Sequence, residues 1–418
     1  FFFRPHIIRF SNMKEKFDPP IVSTCEELEN YPNEYKEAIV KLVRSHAVNE
    51  LYGARVFDEP AISLAPTPYA KWLTCRVAME EYGHQQLSIF SDSEAGLKAF
   101  IAIHNAALGP ALGGVRIWPY RTEEEAIMDA LRLSRGMTYK SAAAGLNLGG
   151  GKAVIMASRQ DKTEEMMRSF GRCVESLGGK YITTEDVGCD VQDIEWIAYE
   201  TNHVTGLPID KGGSGEPHGM TSYGIYQAMK ACSSSLWGTD SMSGMTVAMQ
   251  GFGKVASYLA EYLIKEDCNI VVTDINEAAR NRAKGMGLAV LDNIESIYDV
   301  NCDIFSPCAL GGVLNDETIP RLKCKLLAGS ANNQLLEDRH AAVLSDMDIL
   351  YAPDYIINAG GVINIAEEID KRYDSKVAEV RVGFIYQTVQ EILNIAKLKN
   401  INTALAADEL AKKRLAAN

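Results

Sequence analysis

Two lysines, Lys140 and Lys152, have unusual neighbours, because small residues, apolar residues and glycines fill the stretch between them. Lysine ordinarily lies on solvated faces among other charged groups, yet no acidic residue separates these two. An ammonium in such surroundings either contacts a ligand or has its pKa lowered by desolvation. The three glycines at 149–151 would let backbone approach that ligand closely. A loop whose lysines extend into solvent is the alternative, and it is the weaker one when both lysines and the glycines are considered together.

The second half of the sequence carries a dinucleotide-binding pattern. A predicted buried strand at 246–250 leads into Gly251 and Gly253, a helix follows, and the next predicted strand ends at Asp274, 23 residues after Gly251. The first glycine makes the tight turn, and the second admits a pyrophosphate to the helix N-terminus. The acid accepts from the ribose 2′-hydroxyl and repels a 2′-phosphate, so the sequence predicts NAD rather than NADP. The predicted cofactor site also includes the first two helix residues, Lys254 and Val255.

A nicotinamide beside two poorly hydrated lysines and an acid suits the oxidative deamination of an amino acid. One lysine can pair with a substrate carboxylate, and the other, uncharged when desolvated, can take a proton from water or an amine. Asp186 follows a predicted strand at 181–183 and can exchange protons with the departing nitrogen. The alternative for Asp186 is a structural carboxylate that caps the backbone at 187–188.

Composition excludes several classes of partner. The chain has 418 residues with 42 basic and 55 acidic side chains, a net charge of −13, which argues against a nucleic-acid partner and against adhesion to anionic lipid. No apolar run approaches the roughly 18 residues of a membrane span. Seven histidines form no H-x-x-x-H pair, and His104, His203 and His218 lie apart, so no metal is expected.

The cysteines bear on the compartment. They number nine, are scattered and form no C-x-x-C pair, which indicates reduced thiols in a cytosol-like compartment. The sequence therefore predicts a cytoplasmic protein. Residues 1–12 contain Arg4 and Arg9 and no acid, so a transit-peptide remnant, with a mitochondrial matrix or plastid location, is the alternative.

The elements that position these residues alternate strands with helices, which predicts an α/β fold of two domains. An N-terminal mixed α/β domain would bind substrate and form the oligomer, and a C-terminal Rossmann-type domain would bind the dinucleotide. Predicted details include a glycine turn at 109–114, a helix from Thr122 to Arg135 and one long amphipathic helix at 375–397. The predicted divisions are an N-terminal extension at 1–77 (with a helix at 25–50 and a linker at 57–70), a substrate domain at 78–206, an NAD-binding domain at 207–400 and a C-terminal helix at 401–418 that returns to the substrate domain.

From about Tyr82 to the C-terminus the chain resembles the leucine dehydrogenase branch of the glutamate/leucine/phenylalanine/valine dehydrogenase family. The matching motifs are Gly-Pro-Ala-Leu-Gly-Gly-Val-Arg at 109–116, the stretch 136–152, Thr-Glu-Asp-Val-Gly at 184–188, Pro-Cys-Ala-Leu-Gly at 307–311, Ala-Gly-Ser-Ala-Asn-Asn-Gln-Leu at 328–335 and Ala-Pro-Asp-Tyr-Ile-Ile-Asn-Ala-Gly-Gly-Val-Ile-Asn at 352–364. These motifs are long, and the resemblance covers about four-fifths of the chain. It implies a homo-oligomeric enzyme whose two domains close over the substrate.

The resemblance also implies a role for individual residues. Lys140 would bind the substrate carboxylate, Lys152 would be the general base that activates the attacking water, and Asp186 would shuttle protons to the amino group. The remaining implied assignments are Gly113 and Gly114 beside the substrate, Thr221 and Asn333 at the nicotinamide carboxamide, Gly251, Gly253 and Asp274 at the dinucleotide, and Ala309 and Leu310 near the ribose.

Substrate specificity depends on the residue before the paired glycines. Glutamate enzymes of the family have a lysine there that holds the distal carboxylate, whereas this chain has Leu112, so a glutamate side chain would lose its partner. Thr184, Val362 and Ile365 would complete an aliphatic pocket. Thr184 replaces an alanine typical of leucine enzymes, and its bulk favours shorter side chains such as valine. One methylene is worth only about 1–3 kcal/mol, so leucine, isoleucine and valine stay open. A phenylalanine or tryptophan dehydrogenase is the alternative, and a non-catalytic NAD-binding oligomer is a remote one.

Overall fold

The computed structural model describes residues 68–369 and 373–417. The predicted helix at 25–50 and the segment 1–12 lie outside these residues. The first described helix, α1 (Pro68–Tyr82), begins inside the predicted linker and crosses the boundary predicted between 77 and 78. Cys75 and Ala78 are buried with Phe100 and Leu131 in one cluster, so this helix packs as part of the first domain. Across the described residues no helix is both long and apolar enough to cross a membrane.

The first domain is built on a five-stranded sheet in the order β1-β2-β4-β3-β5. β2 runs antiparallel to both of its neighbours, whereas β3, β4 and β5 are parallel. Its elements after α1 are β1 (Gln86–Asp92), β2 (Leu97–Asn105), β3 (Ala111–Trp118), α2 (Glu123–Ala143), β4 (Gly149–Met156), α3 (Glu164–Ser176), β5 (Tyr181–Glu185) and α4 (Val191–Ala198).

Helix α2 is longer than predicted and carries Lys140. Thr122 caps its first turn by accepting from the Glu125 N–H, and three acids follow in that turn, as the helix dipole favours. The prediction ended the helix at Arg135, next to Gly136, but the helix continues to Ala143. A glycine inside a helix costs about 1 kcal/mol, and the buried face that continues through Thr138 and Ala142 offsets that cost. Lys140 therefore lies in the last turn of a helix.

Gly113 and Gly114 lie inside strand β3 and not in the predicted turn, and the glycines at 149–151 lie inside strand β4. A Cβ on Gly113 would lie 1.7 Å from the carbonyl oxygen of Gly151, and one on Gly150 would lie 2.0 Å from the Thr138 nitrogen. Helix α2 can therefore lie directly against β4. These glycines allow protein backbone, rather than a ligand, to approach, and the close packing brings Lys140 near the sheet.

The second domain has a six-stranded parallel sheet in the order β11-β10-β9-β6-β7-β8. From β6 to β8 successive strands are added on one side of β6, and from β9 to β11 they are added on its other side. The boundary between β6 and β9, where this order reverses, is the place where doubly wound folds bind dinucleotides. The predicted Rossmann-type domain is confirmed. Its elements are α5 (His218–Trp237), β6 (Thr246–Gln250), α6 (Lys254–Lys265), β7 (Asn269–Thr273), α7 (Glu277–Gly285), β8 (Ala289–Val290), β9 (Ile304–Pro307), β10 (Leu326–Leu327), α8 (His340–Asp346), β11 (Leu350–Tyr351), α9 (Asp354–Ile357) and α10 (Gly360–Ala366).

The C-terminal part differs from the predicted single helix at 375–397. Two helices, α11 (Ser375–Gly383) and α12 (Ile385–Lys399), meet at Phe384, and Val377 and Val380 are exposed instead of forming part of a buried stripe.

The last helix, α13 (Thr403–Ala416), contacts both domains. It packs against α2, where the Arg414 guanidinium donates to the carbonyl oxygen of Ala143. On the other side the Tyr355 hydroxyl of α9 donates to Asp408 Oδ1 at 2.9 Å. The end of the chain thus contacts the helix that carries Lys140.

Candidate active site

An ion pair between Lys152 and Asp186 spans three strands of the first sheet. Lys152 lies on β4 and Asp186 directly follows β5, with β3 between these two strands. The distance from Lys152 Nζ to Asp186 Oδ1 is 3.1 Å. On β3 the chain has Gly114, and a Cβ there would lie 2.8 Å from Asp186 Cβ. Gly114 therefore leaves the space that the pair needs.

Lys152 is almost completely buried, with 5% of its surface exposed. Burial lowers the pKa of its ammonium, the attraction of Asp186 opposes that effect, and the positive charge of Arg116 adds to it. The net direction is downward. A lowered pKa makes the amine form of a lysine easier to reach than it is in water, which favours a role as a proton acceptor.

Asp186 is held as a carboxylate. Burial opposes its charge, but Lys152 and Arg116 together outweigh burial and lower the pKa of Asp186 to about 2. Its Oδ2 accepts from Arg116 Nε at 2.9 Å, while Oδ1 faces Lys152. Asp186 is therefore ionised before any reaction begins. In that form it can accept a proton, but it has none to donate.

Arg116 and Asp129 belong to this network, although the sequence motifs predicted a role for neither. Arg116 Nη1 donates to Asp129 Oδ2 at 2.9 Å. Asp129 also accepts from the Tyr120 hydroxyl at 2.6 Å and from Arg132 Nη2 at 2.8 Å. The available signal was a charged residue inside the predicted strand at 115–118, because a charge on a buried strand needs a partner.

Lys140 is half-buried and lies close enough to Lys152 and Asp186 to interact with both electrostatically. Burial lowers the pKa of Lys140 to about 8, against the attraction of Asp354 from the second domain. No hydrogen bond or ion pair joins its ammonium to any other residue that the structure describes. The ammonium is therefore available for an anionic ligand.

The four predicted pocket residues divide into two kinds. Leu112 is fully buried, and Ile365 and the partly buried Val362 pack in the same cluster. Leu112 is thus covered by protein here and does not line an open cavity. Thr184 is 5% exposed, and its hydroxyl has no hydrogen-bond partner among the described residues. Because Thr184 precedes Asp186 by two residues on an extended segment, both side chains lie on the same face.

The glycine turn after β6 fits a dinucleotide. Gly251 has a φ of +96°, in the left-handed region, and a Cβ on it would lie 2.8 Å from Ala309. Gly253 begins α6, and a Cβ on it would meet nothing within 4 Å. The N-terminus of α6 thus faces open space, as a pyrophosphate requires. Ala309 adjoins this turn, and Leu310 is exposed nearby in sequence.

Asp274 lies at the end of β7 and fixes the same turn. Its Oδ2 accepts from the Phe252 N–H at 2.6 Å, and its Oδ1 accepts from the Asn276 N–H at 2.7 Å. Lys254 is exposed and pairs with Glu216 at 2.7 Å, while Val255 is half-buried and its carbonyl accepts from the Ser222 hydroxyl. The ammonium of Lys254 is directed at a carboxylate in this structure.

The predicted carboxamide residues lie on separate segments. Thr221, in the first turn of α5, donates to the Pro217 carbonyl, and a Cβ on Gly361 would lie 2.7 Å from its hydroxyl. Asn333 is exposed and has a φ of +52°. No contact joins Thr221 to Asn333. A further buried amide, Asn358, was quoted only as part of a motif, and its Oδ1 has no partner among the described residues.

A second titratable cluster lies away from this site. Side-chain ligand atoms of Asp316, Glu337 and His340 come within 4.8 Å of one another, a grouping that the histidine spacing did not reveal. Arg339 pairs with both carboxylates. The positive charge of Arg339 thus partly neutralises the two carboxylates of this cluster.

The chain is similar to known proteins over most of its length. Residues 84–203 match the sequence model described as Glu/Leu/Phe/Val dehydrogenase, dimerisation domain, and residues 212–417 match that of Glutamate/Leucine/Phenylalanine/Valine dehydrogenase. A leucine dehydrogenase of Geobacillus stearothermophilus is 52% identical over 339 residues, 81% of this chain and 92% of that protein. A phenylalanine dehydrogenase of Caldalkalibacillus thermarum (strain TA2.A1) is 45% identical over 338 residues, 79% and 91% of the two chains. The crystal structure of L-tryptophan dehydrogenase from Nostoc punctiforme has a TM-score of 0.72 and 42% identity, covering 81% of this chain and 98% of that one. The chain therefore belongs to the glutamate/leucine/phenylalanine/valine dehydrogenase family, as its motifs predicted.

Proposed function

We propose that the protein catalyses the reversible, NAD-dependent oxidative deamination of a branched-chain aliphatic L-amino acid to its 2-oxo acid and ammonium. The observation that carries the proposal is the buried pair of Lys152 and Asp186, near Lys140, whose ammonium has no hydrogen-bond or ion-pair partner among the residues that the structure describes. Relatives named leucine dehydrogenase, at 52% identity, support the aliphatic substrate. The family also includes a protein named phenylalanine dehydrogenase at 45% identity, which keeps the aromatic alternative open to test.

Each side chain would have one task in the reaction. The ammonium of Lys140 pairs with the substrate carboxylate and fixes the amino acid over the sheet. Asp186, ionised, accepts a proton from the substrate ammonium and later returns it to the departing nitrogen. Lys152, as an amine, takes one proton from the water that adds to the iminium carbon, which gives a neutral carbinolamine, and its charged form then donates a hydrogen bond to the carbinolamine oxygen. As ammonia leaves, the hydroxyl proton of the carbinolamine passes to Asp186, which is ionised again after protonating the nitrogen.

The nicotinamide cofactor would supply the acceptor for the hydride that leaves the substrate Cα. The open N-terminus of α6 at Gly253 and the left-handed turn at Gly251 fit its pyrophosphate, and Asp274 fits its adenosine ribose. Thr221 and Asn333 would orient the carboxamide, with Ala309 and Leu310 near the ribose. Closure of the two domains would exclude water, which strengthens every charge interaction in the site.

A substrate panel tests the proposal directly. Purified enzyme is assayed for NADH formation with L-leucine, L-valine, L-isoleucine, L-phenylalanine, L-tryptophan and L-glutamate at mildly alkaline pH. We expect the three branched-chain amino acids to give the highest kcat/KM and glutamate to give almost none, because none of the four predicted pocket residues carries a positive charge to pair with its distal carboxylate. A higher kcat/KM for phenylalanine or tryptophan would overturn the aliphatic assignment. If none of the six amino acids gave NADH, the proposed dehydrogenase activity would be rejected.

Cofactor choice gives a second prediction. Replacing Asp274 by alanine removes the acceptor for the ribose 2′-hydroxyl and the charge that repels a 2′-phosphate. We expect the KM for NAD to rise about tenfold, since a lost charged hydrogen bond is worth about 1.5–3 kcal/mol, and the preference for NAD over NADP to narrow. The two cofactors are titrated at saturating amino acid. An Asp292→Ala variant, at an exposed acid paired with Lys284, is the control, and an unchanged cofactor ratio in Asp274→Ala would contradict the assignment.

A homo-oligomer is also proposed. The first matched sequence model is described as a dimerisation domain, and β1 forms one edge of that domain's sheet with Ile89 exposed. Light scattering of the purified protein measures the subunit number.

A further inference from the structure

Arg116 bridges two carboxylates that come from different parts of the chain. Its Nε donates to Asp186 Oδ2 and its Nη1 donates to Asp129 Oδ2, both at 2.9 Å. Asp186 follows strand β5, whereas Asp129 lies on helix α2. The guanidinium therefore connects the proton-accepting carboxylate to the helix that also carries Lys140.

The bridge leaves Asp186 little freedom to turn. One oxygen faces Arg116 and the other faces Lys152 at 3.1 Å, so rotation of the carboxylate would break both contacts. A planar guanidinium can donate to two carboxylates at once in a fixed geometry, whereas a lysine ammonium acts as a point charge. Asp129 is in turn fixed by the hydroxyl of Tyr120 and by Arg132.

We propose that Arg116 is a positioning residue for the reaction: anchored on Asp129, it holds Asp186 in the one orientation that places an oxygen beside Lys152. This inference rests on the proposed function, because it assigns Asp186 and Lys152 their parts in proton transfer. Arg116 itself contacts neither substrate nor cofactor in this scheme.

The charges around Lys152 determine how loss of Arg116 changes the pH dependence. The positive charges of Arg116 and Lys140 disfavour the charged form of Lys152, whereas the negative charges of Asp186 and Asp129 favour it. Asp354, on α9, acts on Lys140. Removing Arg116 removes a positive charge, so the pKa of Lys152 rises and less of the amine is present at a given pH. The rise of activity with pH therefore moves to higher pH.

The test compares Arg116→Gln with Arg116→Lys in the full-length enzyme. We expect Arg116→Gln to lower kcat by about 100-fold, the effect of a small misplacement of a reacting group, with the KM for L-leucine within about threefold because Lys140 is intact. The rising limb of the kcat–pH profile should move to higher pH. Arg116→Lys should restore the position of that limb but only part of kcat, since it supplies the charge without the two-way bridge. The control is Arg168→Gln on α3, which breaks an ion pair with Glu200 and should match wild type.

Chemical labelling provides a readout that does not need activity. Trace acetylation of Lys152 as a function of pH, followed by peptide mass spectrometry, gives the pKa of its amine. We expect the midpoint to be higher in Arg116→Gln than in wild type. If the wild type formed no NADH but the midpoint still moved in Arg116→Gln, the proposed function would be rejected, and only the effect of Arg116 on the charge of Lys152 would be retained. An unshifted midpoint and profile, or an Arg116→Lys variant that matches Arg116→Gln in both, would overturn the positioning role. If Arg116→Gln does not fold, Arg116→Lys is compared with wild type instead. A kcat of Arg116→Lys equal to that of wild type would overturn the proposal that the two-way bridge positions Asp186.

Discussion

Replacing Lys152 by alanine is expected to abolish nearly all turnover while leaving NAD binding intact. The variant loses the only amine within contact distance of Asp186 among the described residues, and with it the group that we propose as the acceptor for the proton of the attacking water. General-base catalysis contributes about 10²–10⁴-fold, so kcat should fall by at least that much. The dinucleotide turn at Gly251 and Gly253 lies in the other domain and is unaffected.

Two measurements separate loss of chemistry from loss of structure. Steady-state NADH formation gives kcat, and fluorescence titration gives the Kd for NADH, which should stay within about threefold because no nucleotide contact changes. Lys98→Ala, at an exposed lysine paired with Glu123, is the matched control. If Lys152→Ala kept a tenth or more of the wild-type kcat, Lys152 would not be the base.

Replacing Lys140 by alanine should chiefly raise the KM for the amino acid. Its ammonium is half-buried and without a hydrogen bond or ion pair to any other described residue, so it would gain its first strong partner in the substrate carboxylate. Truncating one member of a buried charge pair costs about 2–5 kcal/mol, which at 1.4 kcal/mol per tenfold predicts a KM at least about 30-fold higher. Alanine preserves the last turn of α2, because it is the best helix former. An unchanged KM would contradict the carboxylate role.

The same lysine predicts a limb of the pH profile. The pKa of Lys140 is lowered to about 8, so the free enzyme carries the ammonium below that pH and the amine above it. Since only the ammonium attracts a carboxylate, kcat/KM of the wild type should fall as pH rises beyond about 8. That fall should be absent in Lys140→Ala, measured with L-leucine between pH 6 and 10 in buffers of constant ionic strength.

Local patterns were sufficient for much of this molecule. The strand, glycine turn, helix and acid around Gly251 and Asp274 lie close together in sequence, and the Rossmann-type fold that they predict is confirmed. Lys140 and Lys152 were found because their neighbours are unsuited to a charge. The structure places Lys152 in a buried ion pair and leaves Lys140 without a hydrogen-bond or ion-pair partner among the described residues, but the catalytic roles themselves stay predictions.

The same local patterns could not predict contacts between segments that are distant in sequence. Arg116 meets Asp186 across 70 positions, and nothing in the residues around either one indicates that they touch. The end of α2 was missed because Gly136 suggested a break, whereas burial against β4 holds the helix together. The glycines of β4 were assigned to a ligand because sequence alone does not show that α2 packs against them.

Helix α13 contacts both domains, and this limits how they can move. The polypeptide passes from the first domain to the second after β5 and α4, and it returns to the first through α13, which Arg414 attaches to α2. Two bodies joined at two separate places can swing about the line through those places, but they resist sliding and twisting. Opening and closing would then follow a single axis, and the two halves of the cleft would meet in the same alignment in every cycle.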